Sequence, residues 1–340
     1  MGNKHSQFMK LAISKAWKNQ FHTYPNPAVG ATVVLNGKVL SVQSHENAGE
    51  PHAEVLALKE AYLTVYSNSK LKELISSEEI HQFLTLNHND FFKTCEIYVT
   101  LEPCNHIGKT PACAMLLESI GIKKVYIGTL DPNKKASGGV QRLRDADIEV
   151  DIGVCKELTD ELLYPFTLWQ KNKFIFFKLA MRIDGSIDGG YITTKESLEK
   201  VHDIRTKIDC LAIGGETVRI DRPTLDARFA VINKAPDILI YSKQQEFDKT
   251  IPLFDVKNRE LTISNDFDIS KYKFVMVEGG FNLLKSIEDK IDYLLLFISH
   301  KSKKENIFDY KTLGFKKVYS YNINEFDEIV FLKRITVGKL

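Results

Sequence analysis

Apolar residues recur at helical spacing near the start of the chain. Phe8, Leu11, Ala12 and Ala16, with Trp17 beside them, predict an amphipathic first helix. Tyr24-Pro-Asn-Pro-Ala-Val-Gly30 ends it, because two prolines hold the backbone extended. Apolar runs at 32–35 and 39–42 flank Asn36-Gly37, a strong two-residue hairpin signal. Beyond them the pattern predicts a helix at 52–66, with His52 and Glu54 in its first turn, and a polar insert of weak periodicity at 67–92. Strands at 96–100, 124–129 and 148–150 then alternate with helices at 113–119 and 140–145. Such alternation predicts a three-layer α/β/α domain over residues 1–152, and a connecting helix is expected within 153–172. A second α/β domain, 173–340, opens with an apolar strand at 173–180. Its further strands are expected at 210–213, 237–241, 274–277, 293–298 and 329–332, with helices at 195–207 and 282–290.

Composition narrows the function classes. At 340 residues, the chain exceeds what one ordinary core organises, which supports two domains. Lys+Arg 46 against Asp+Glu 44 leaves a net charge of +2, so no nucleic-acid platform is expected. No apolar run is long enough to span a bilayer, and five sparsely spaced cysteines fit a reducing compartment. A cytoplasmic protein without a membrane partner is expected.

Chemistry concentrates in two stretches, Gly49-Glu-Pro-His-Ala-Glu54 and Glu102-Pro-Cys-Asn-His-Ile-Gly-Lys-Thr-Pro-Ala-Cys113. His52, Cys104 and Cys113 offer one imidazole and two thiolates, donors that zinc favours. Three ligands without an obvious fourth point to a catalytic site that keeps a position for water, whose pKa the cation lowers to about 7. Glu54, two positions after His52, could move protons there. The plain alternative is a packed imidazole and two buried thiols, which is how Cys95, Cys155 and Cys210 read.

His-x-Glu followed by Pro-Cys and a second Cys is the zinc deaminase signature. Eight residues separate the cysteines here instead of two. With Pro103, His106, Gly108, Lys109, Thr110 and Pro111 in register, the stretch resembles the bifunctional pyrimidine deaminase–reductases of riboflavin biosynthesis. The resemblance implies a cytidine-deaminase-like fold with Zn2+ on His52, Cys104 and Cys113, and Glu54 as the catalytic acid and base. It places Asn26, His45, His106, Lys109 and Thr110 around a phosphorylated pyrimidine. The run Ser41-Val-Gln-Ser-His45 lacks the glycines that family members usually carry before this His.

Further on, Val277-Glu-Gly-Gly-Phe-Asn-Leu-Leu284 brings paired glycines to the end of a strand and the start of a helix, an arrangement that suits a phosphate. No Gly-x-Gly occurs, so a Rossmann fingerprint is absent. Together with Lys178-Leu-Ala-Met-Arg-Ile-Asp-Gly185, Gly214-Gly-Glu-Thr217 and Asp221-Arg-Pro-Thr-Leu-Asp-Ala-Arg228, this order resembles the dihydrofolate-reductase-like half of the same enzymes. The resemblance implies an NADPH site from Ala180, Tyr191, Thr217, Asp221 and the loop Gly280, Phe281, Asn282, Leu283, Leu284, Lys285 and Ser286. Arg205, Leu225, Arg228 and Glu278 would line the sugar-phosphate site. Tyr191 stands where many members carry Trp. A homo-oligomer acting on a small phosphorylated pyrimidine is expected. The competing readings are a nucleoside- or tRNA-directed deaminase and a non-catalytic zinc-stabilised domain.

Overall fold

The computed structural model describes residues 4–335, apart from 107, 109, 134–135, 188–189, 233 and 302–312. Lys109, expected at the substrate, therefore lies outside the described residues. The chain forms two compact units, Met1–Thr167 and Leu168–Leu340.

In the first unit the elements are α1 (Lys4–Trp17), β1 (Gly30–Leu35), β2 (Lys38–Ser44), α2 (Ala53–Val65), α3 (Ser77–Asn87), β3 (Cys95–Leu101), α4 (Cys113–Ser119), β4 (Lys124–Thr129), α5 (Gly139–Asp145), β5 (Glu149–Ile152) and α6 (Lys156–Lys171). The boundary between the units falls within α6. The sheet order is β2-β1-β3-β4-β5. Antiparallel pairing joins β1 to β2 and β3, and parallel pairing joins β3, β4 and β5. Asn36 and Gly37 both take positive φ, as a tight hairpin demands. Val33 belongs to the core cluster that includes residues of α2, α3, α4 and α5, while α1 lies against β1, β2 and β3. Burial on both faces explains why β1 is nearly continuous in apolar residues.

The polar insert is a correction to the sequence reading. It holds α3, begun by a capping box between Ser76 and Glu79, and its Leu71, Ile80, Leu84 and Phe92 are wholly buried in the core. Charged residues on its outer face dilute the helical period that its inner face keeps.

The second unit contains β6 (Phe174–Arg182), α7 (Lys195–Arg205), β7 (Cys210–Gly214), α8 (Gly215–Asp221), β8 (Asp237–Tyr241), β9 (Leu261–Ser264), β10 (Phe274–Glu278), α9 (Phe281–Ser286), β11 (Tyr293–Ser299), β12 (Phe315–Asn322) and β13 (Asp327–Arg334). They build a sheet of order β12-β13-β11-β6-β10-β7-β8-β9. The run from β11 to β9 is parallel, and β13 and β12 add antiparallel strands at one edge. The chain leaves β7 toward β8 in one direction and β10 toward β11 in the other. That reversal opens a crevice at the carboxyl ends of β7 and β10, where open α/β sheets bind ligands. Gly214-Gly215 and Gly279-Gly280 stand there.

Candidate metal centre and second site

His52 occupies the N-cap position of α2 and Cys113 the first position of α4, while Cys104 follows β3. His52 Nδ1 lies 3.6 Å from Cys104 Sγ and 3.4 Å from Cys113 Sγ, and the three ligand atoms all fall within 4.8 Å of one another. A tetrahedral zinc with ordinary Zn–N and Zn–S bonds would hold such atoms about 3.6 Å apart, so the donors and their spacing fit this ion. The Cys113 backbone N–H donates to Cys104 Sγ at 3.4 Å. Hydrogen bonding from Cys113 holds the Cys104 thiol down at about 4, against its burial, and the proton they share pushes Cys113 up. Burial alone would lower His52, but the Cys104 hydrogen bond and the Glu54 charge outweigh it and raise it.

Glu54 is buried, in the first turn of α2. Burial pushes its carboxyl up to about 7, with the His52 charge opposing. A carboxyl poised there can both take and give a proton near neutral pH.

Asn26 and His45 are brought together by the loop before β1 and the end of β2. Their Nδ2 and Nε2 atoms stand 3.0 Å apart, and the His45 ring meets His52 edge-on at 5.3 Å. His45 Nδ1 lies 3.2 Å from the Pro51 carbonyl, which can only accept. The proton is therefore assigned to Nδ1, leaving Nε2 to accept from the Asn26 amide. His106 is exposed and Thr110 half-buried on the loop between the two cysteines, where the Gly108 N–H donates to the Thr110 carbonyl at 3.2 Å.

Three residues with no role read from the sequence support this centre. Buried Glu102 accepts from the N–H groups of Gly138 (3.0 Å), Val140 (3.1 Å) and Asp131 (3.2 Å), fixing the loop that bears Cys104. A Cβ at Gly139 would stand 1.9 Å from the Pro103 carbonyl oxygen, so α5 approaches that loop only with glycine there. His81, on α3, is buried with no hydrogen-bond partner for Nε2, and its charge couples to Cys104 and His52. Such tertiary partners leave no motif in the sequence.

In the second unit, both Glu278 oxygens accept from Arg205 Nη2, at 2.9 and 3.2 Å. Lys178 on β6 is in register with Glu278 on β10. Burial pushes the Lys178 ammonium down, with Glu278 opposing. Arg205 and Lys178 hold Glu278 below its ordinary value despite its burial. Lys178 and its coupling to Glu278 were missed because the pair forms only across two parallel strands 100 positions apart. Arg205 Nη1 also donates to the Asp226 carbonyl at 3.1 Å, and Arg228 pairs with Asp226 at 2.6 Å. Leu225, between these contacts, is buried at φ 55°.

The residues expected around a nucleotide fall on several elements of the second unit. Thr217 lies in the first turn of α8, with Asp221 exposed at its end. A Cβ on Gly279 would meet Leu283 at 2.6 Å, and one on Gly215 would meet Ser242 at 2.4 Å. Ala180 is half-buried on β6. Tyr191 is 74 % exposed. Along α9, Leu284 is wholly buried in the core, Phe281 and Leu283 are half-buried, and Asn282, Lys285 and Ser286 are exposed. A cavity of about 830 Å³ opens at the amino ends of β7 and β8, lined in part by Asp209, Asp226, Asp237, Lys271 and Tyr272.

Comparison with known proteins agrees with this geometry. Residues 2–129 match the family described as the cytidine and deoxycytidylate deaminase zinc-binding region. The chain is 35% identical over 302 residues to the riboflavin biosynthesis protein RibD of Aquifex aeolicus, covering 84% of this chain and 77% of that one. RibD of Synechocystis is 35% identical over 224 residues, 64% of this chain and 52% of that one. A solved diaminohydroxyphosphoribosylaminopyrimidine deaminase/5-amino-6-(5-phosphoribosylamino)uracil reductase from Thermotoga maritima superposes with a TM-score of 0.62 at 27% identity, covering 97% of this chain and 99% of that one. Sequence likeness running through both units and a shared fold over nearly the whole length lead to one assignment: the chain belongs to the RibD family of riboflavin biosynthesis proteins.

Proposed function

We propose that residues 1–152 deaminate 2,5-diamino-6-ribosylamino-4(3H)-pyrimidinone 5′-phosphate and that residues 173–340 then reduce the ribosyl group of the product with NADPH. The observation that carries the reading is the cup of His52, Cys104 and Cys113 with Glu54 buried beside it. Zinc held by these three residues supplies Lewis acidity and lowers the pKa of water to about 7. Glu54 takes one proton from the attacking water and gives it to the ring nitrogen, then takes the second from the hydroxyl so formed and gives it to the departing amine, which leaves as ammonia. Its value near neutral suits both directions of transfer. Asn26, oriented by His45, hydrogen-bonds the base. His106, Lys109 and Thr110 bind the 5′-phosphate, with Lys109 as a point charge.

In the second unit Arg205, Arg228, Leu225 and Glu278 hold the sugar phosphate. Ala180, Tyr191, Thr217, Asp221 and the loop from Gly280 to Ser286 hold NADPH, which supplies the hydride. Lys178, half-buried and paired in register with Glu278, is the proton source assigned to ring opening. A cytoplasmic homo-oligomer remains part of this proposal. Among the described residues no helix is long and apolar enough to cross a membrane.

The decisive assay incubates the purified chain with the diaminopyrimidine phosphate, with and without NADPH, following ammonia and nicotinamide absorbance. Ammonia in both reactions and NADPH oxidation in one are expected. Ammonia from cytidine or RNA instead would transfer the first unit to a nucleoside-directed class, and none from any substrate would leave only a structural zinc domain.

A further inference from the structure

Behind the loop that bears Leu225 and Arg228 stands Arg259, a residue that no motif singles out. Its Nη1 donates to the Leu225 carbonyl at 2.5 Å, and its Nη2 donates to the carbonyls of Thr224 at 3.1 Å and Leu253 at 2.7 Å. Its Nε is buried without a hydrogen-bond partner. Three backbone acceptors and no acidic side chain on the donating nitrogens are unusual for a guanidinium, whose fork more often meets a carboxylate.

The loop itself needs holding. Leu225 has φ 55° and Arg222 has φ 44°, left-handed values that are unfavourable for a non-glycine residue and persist only when the surroundings fix them. Two guanidiniums do so from within. Arg259 takes the carbonyls of Thr224 and Leu225, and Arg205 takes that of Asp226 while also binding Glu278. From outside, Arg222 ties the start of the loop to Asp248 at 2.8 Å and Thr250 at 2.6 Å. The Phe229 N–H, at the far end, donates to His202 Nδ1 at 3.4 Å. Arg228 is exposed beyond these contacts, leaning on Asp226.

We propose that Arg259 is a positioning residue of the reductase site: by clamping three carbonyls it holds residues 224–228 in the turn that sets Leu225 and Arg228 against the Arg205–Glu278 pair. The inference rests on the reading that this pair and loop bind the sugar phosphate. In this role Arg259 need touch neither substrate nor cofactor. It acts through the loop, so its loss weakens substrate binding more than turnover. Lysine at this position keeps the charge and one donor group but cannot span three carbonyls with a planar fork.

The test uses the full-length chain with zinc bound, carrying Arg259→Lys and, separately, Arg259→Ala. NADPH oxidation is followed against the concentration of the deaminated ribosylaminopyrimidine phosphate, and ammonia release is measured in the same preparations. Arg259→Lys is expected to raise the reductase KM about tenfold, the change in affinity that roughly one lost hydrogen bond produces, with kcat within about twofold of the parent. Ammonia release should be unchanged in both variants, and the fold of the second unit is checked by its own unfolding transition and by NADPH affinity, both expected to match the parent. A KM for Arg259→Lys within twofold of the parent would overturn the inference while the functional reading stands. So would equal losses of kcat in both variants with KM unmoved. No NADPH oxidation by the parent protein would overturn the reading of the site and this inference with it.

Discussion

Glu54 has three neighbours in its chemistry, His52, Cys104 and Cys113, and each suits what zinc and a proton require. His52 and the two thiolates are legible because few residue types bind this ion, and because Glu54 sits two positions from His52 on the same helix start. Glu54→Gln should cut ammonia release by about 10³-fold, within the range for a general acid and base, while zinc measured by metal analysis stays at the parent level. Loss of zinc along with activity would instead make Glu54 a ligand. Asn26→Ala removes the amide that reaches both His45 Nε2 and the proposed base. Its KM for the diaminopyrimidine phosphate should rise about tenfold, one lost hydrogen bond in a closed pocket. Unchanged KM would move Asn26 out of the pocket. His81 and Lys178 could not be found this way, since a buried His on a helix and a Lys in a strand have no meaning until their neighbours are known.

Among elements, α3 shows how a weak pattern can hide a built part. Its inward residues Ile80 and Leu84 join the core between α2 and α4, and its outward residues are charged or polar apart from the exposed Leu86. Thr85 Oγ1 meets Ser119 Oγ at 3.1 Å, and the Tyr62 hydroxyl donates to the Asn87 carbonyl at 2.7 Å, tying α3 to the helices that begin at Cys113 and His52. Leu84→Ala should therefore cost about 2–5 kcal/mol in denaturant unfolding of the first unit, a core value. A cost below about 0.5 kcal/mol, typical of a surface site, would contradict that burial.

In the second unit Asp292 joins three strands at their ends. Its Oδ2 accepts from the Ile175 N–H at 2.8 Å, its own N–H donates to the Ile175 carbonyl at 2.9 Å, and its carbonyl accepts from the Arg334 N–H at 3.0 Å. Burial pushes its carboxyl up to about 6. The folded form then holds its proton longer than the unfolded chain does. Stability from this group is greatest near pH 4 and falls as pH rises toward 6, by on the order of 2 kcal/mol. Asp292→Asn keeps the acceptor for Ile175 and should flatten the fall, seen as the difference in unfolding midpoint between the two proteins across that window. Parallel pH profiles would place the titration elsewhere.

At the scale of the whole molecule, two units carry two proposed half-reactions with separate requirements. Stripping zinc with a chelator should abolish ammonia release yet leave NADPH-dependent reduction of the already deaminated substrate above half its rate. Loss of both together would show that the metal supports the second unit as well. Most strands and helices of both units were legible, because burial on one or two faces writes periods of two and 3.6 residues into the chain. The exposed edge elements β9 and β12 and the short α8 were not read, since half-solvated strands and two-turn helices carry little period.

The sequence by itself determined the donor set, the acid beside it and the α/β alternation, because ligand chemistry and burial act on residue types at short spacing. Only the tertiary structure decided what lies next to what across the chain. It set Lys178 against Glu278, Arg259 beneath residues 224–225, Glu102 under the cysteine loop and His81 behind the metal centre. These pairings depend on strand register and helix packing, which are settled by the whole core at once and by no local stretch of residues.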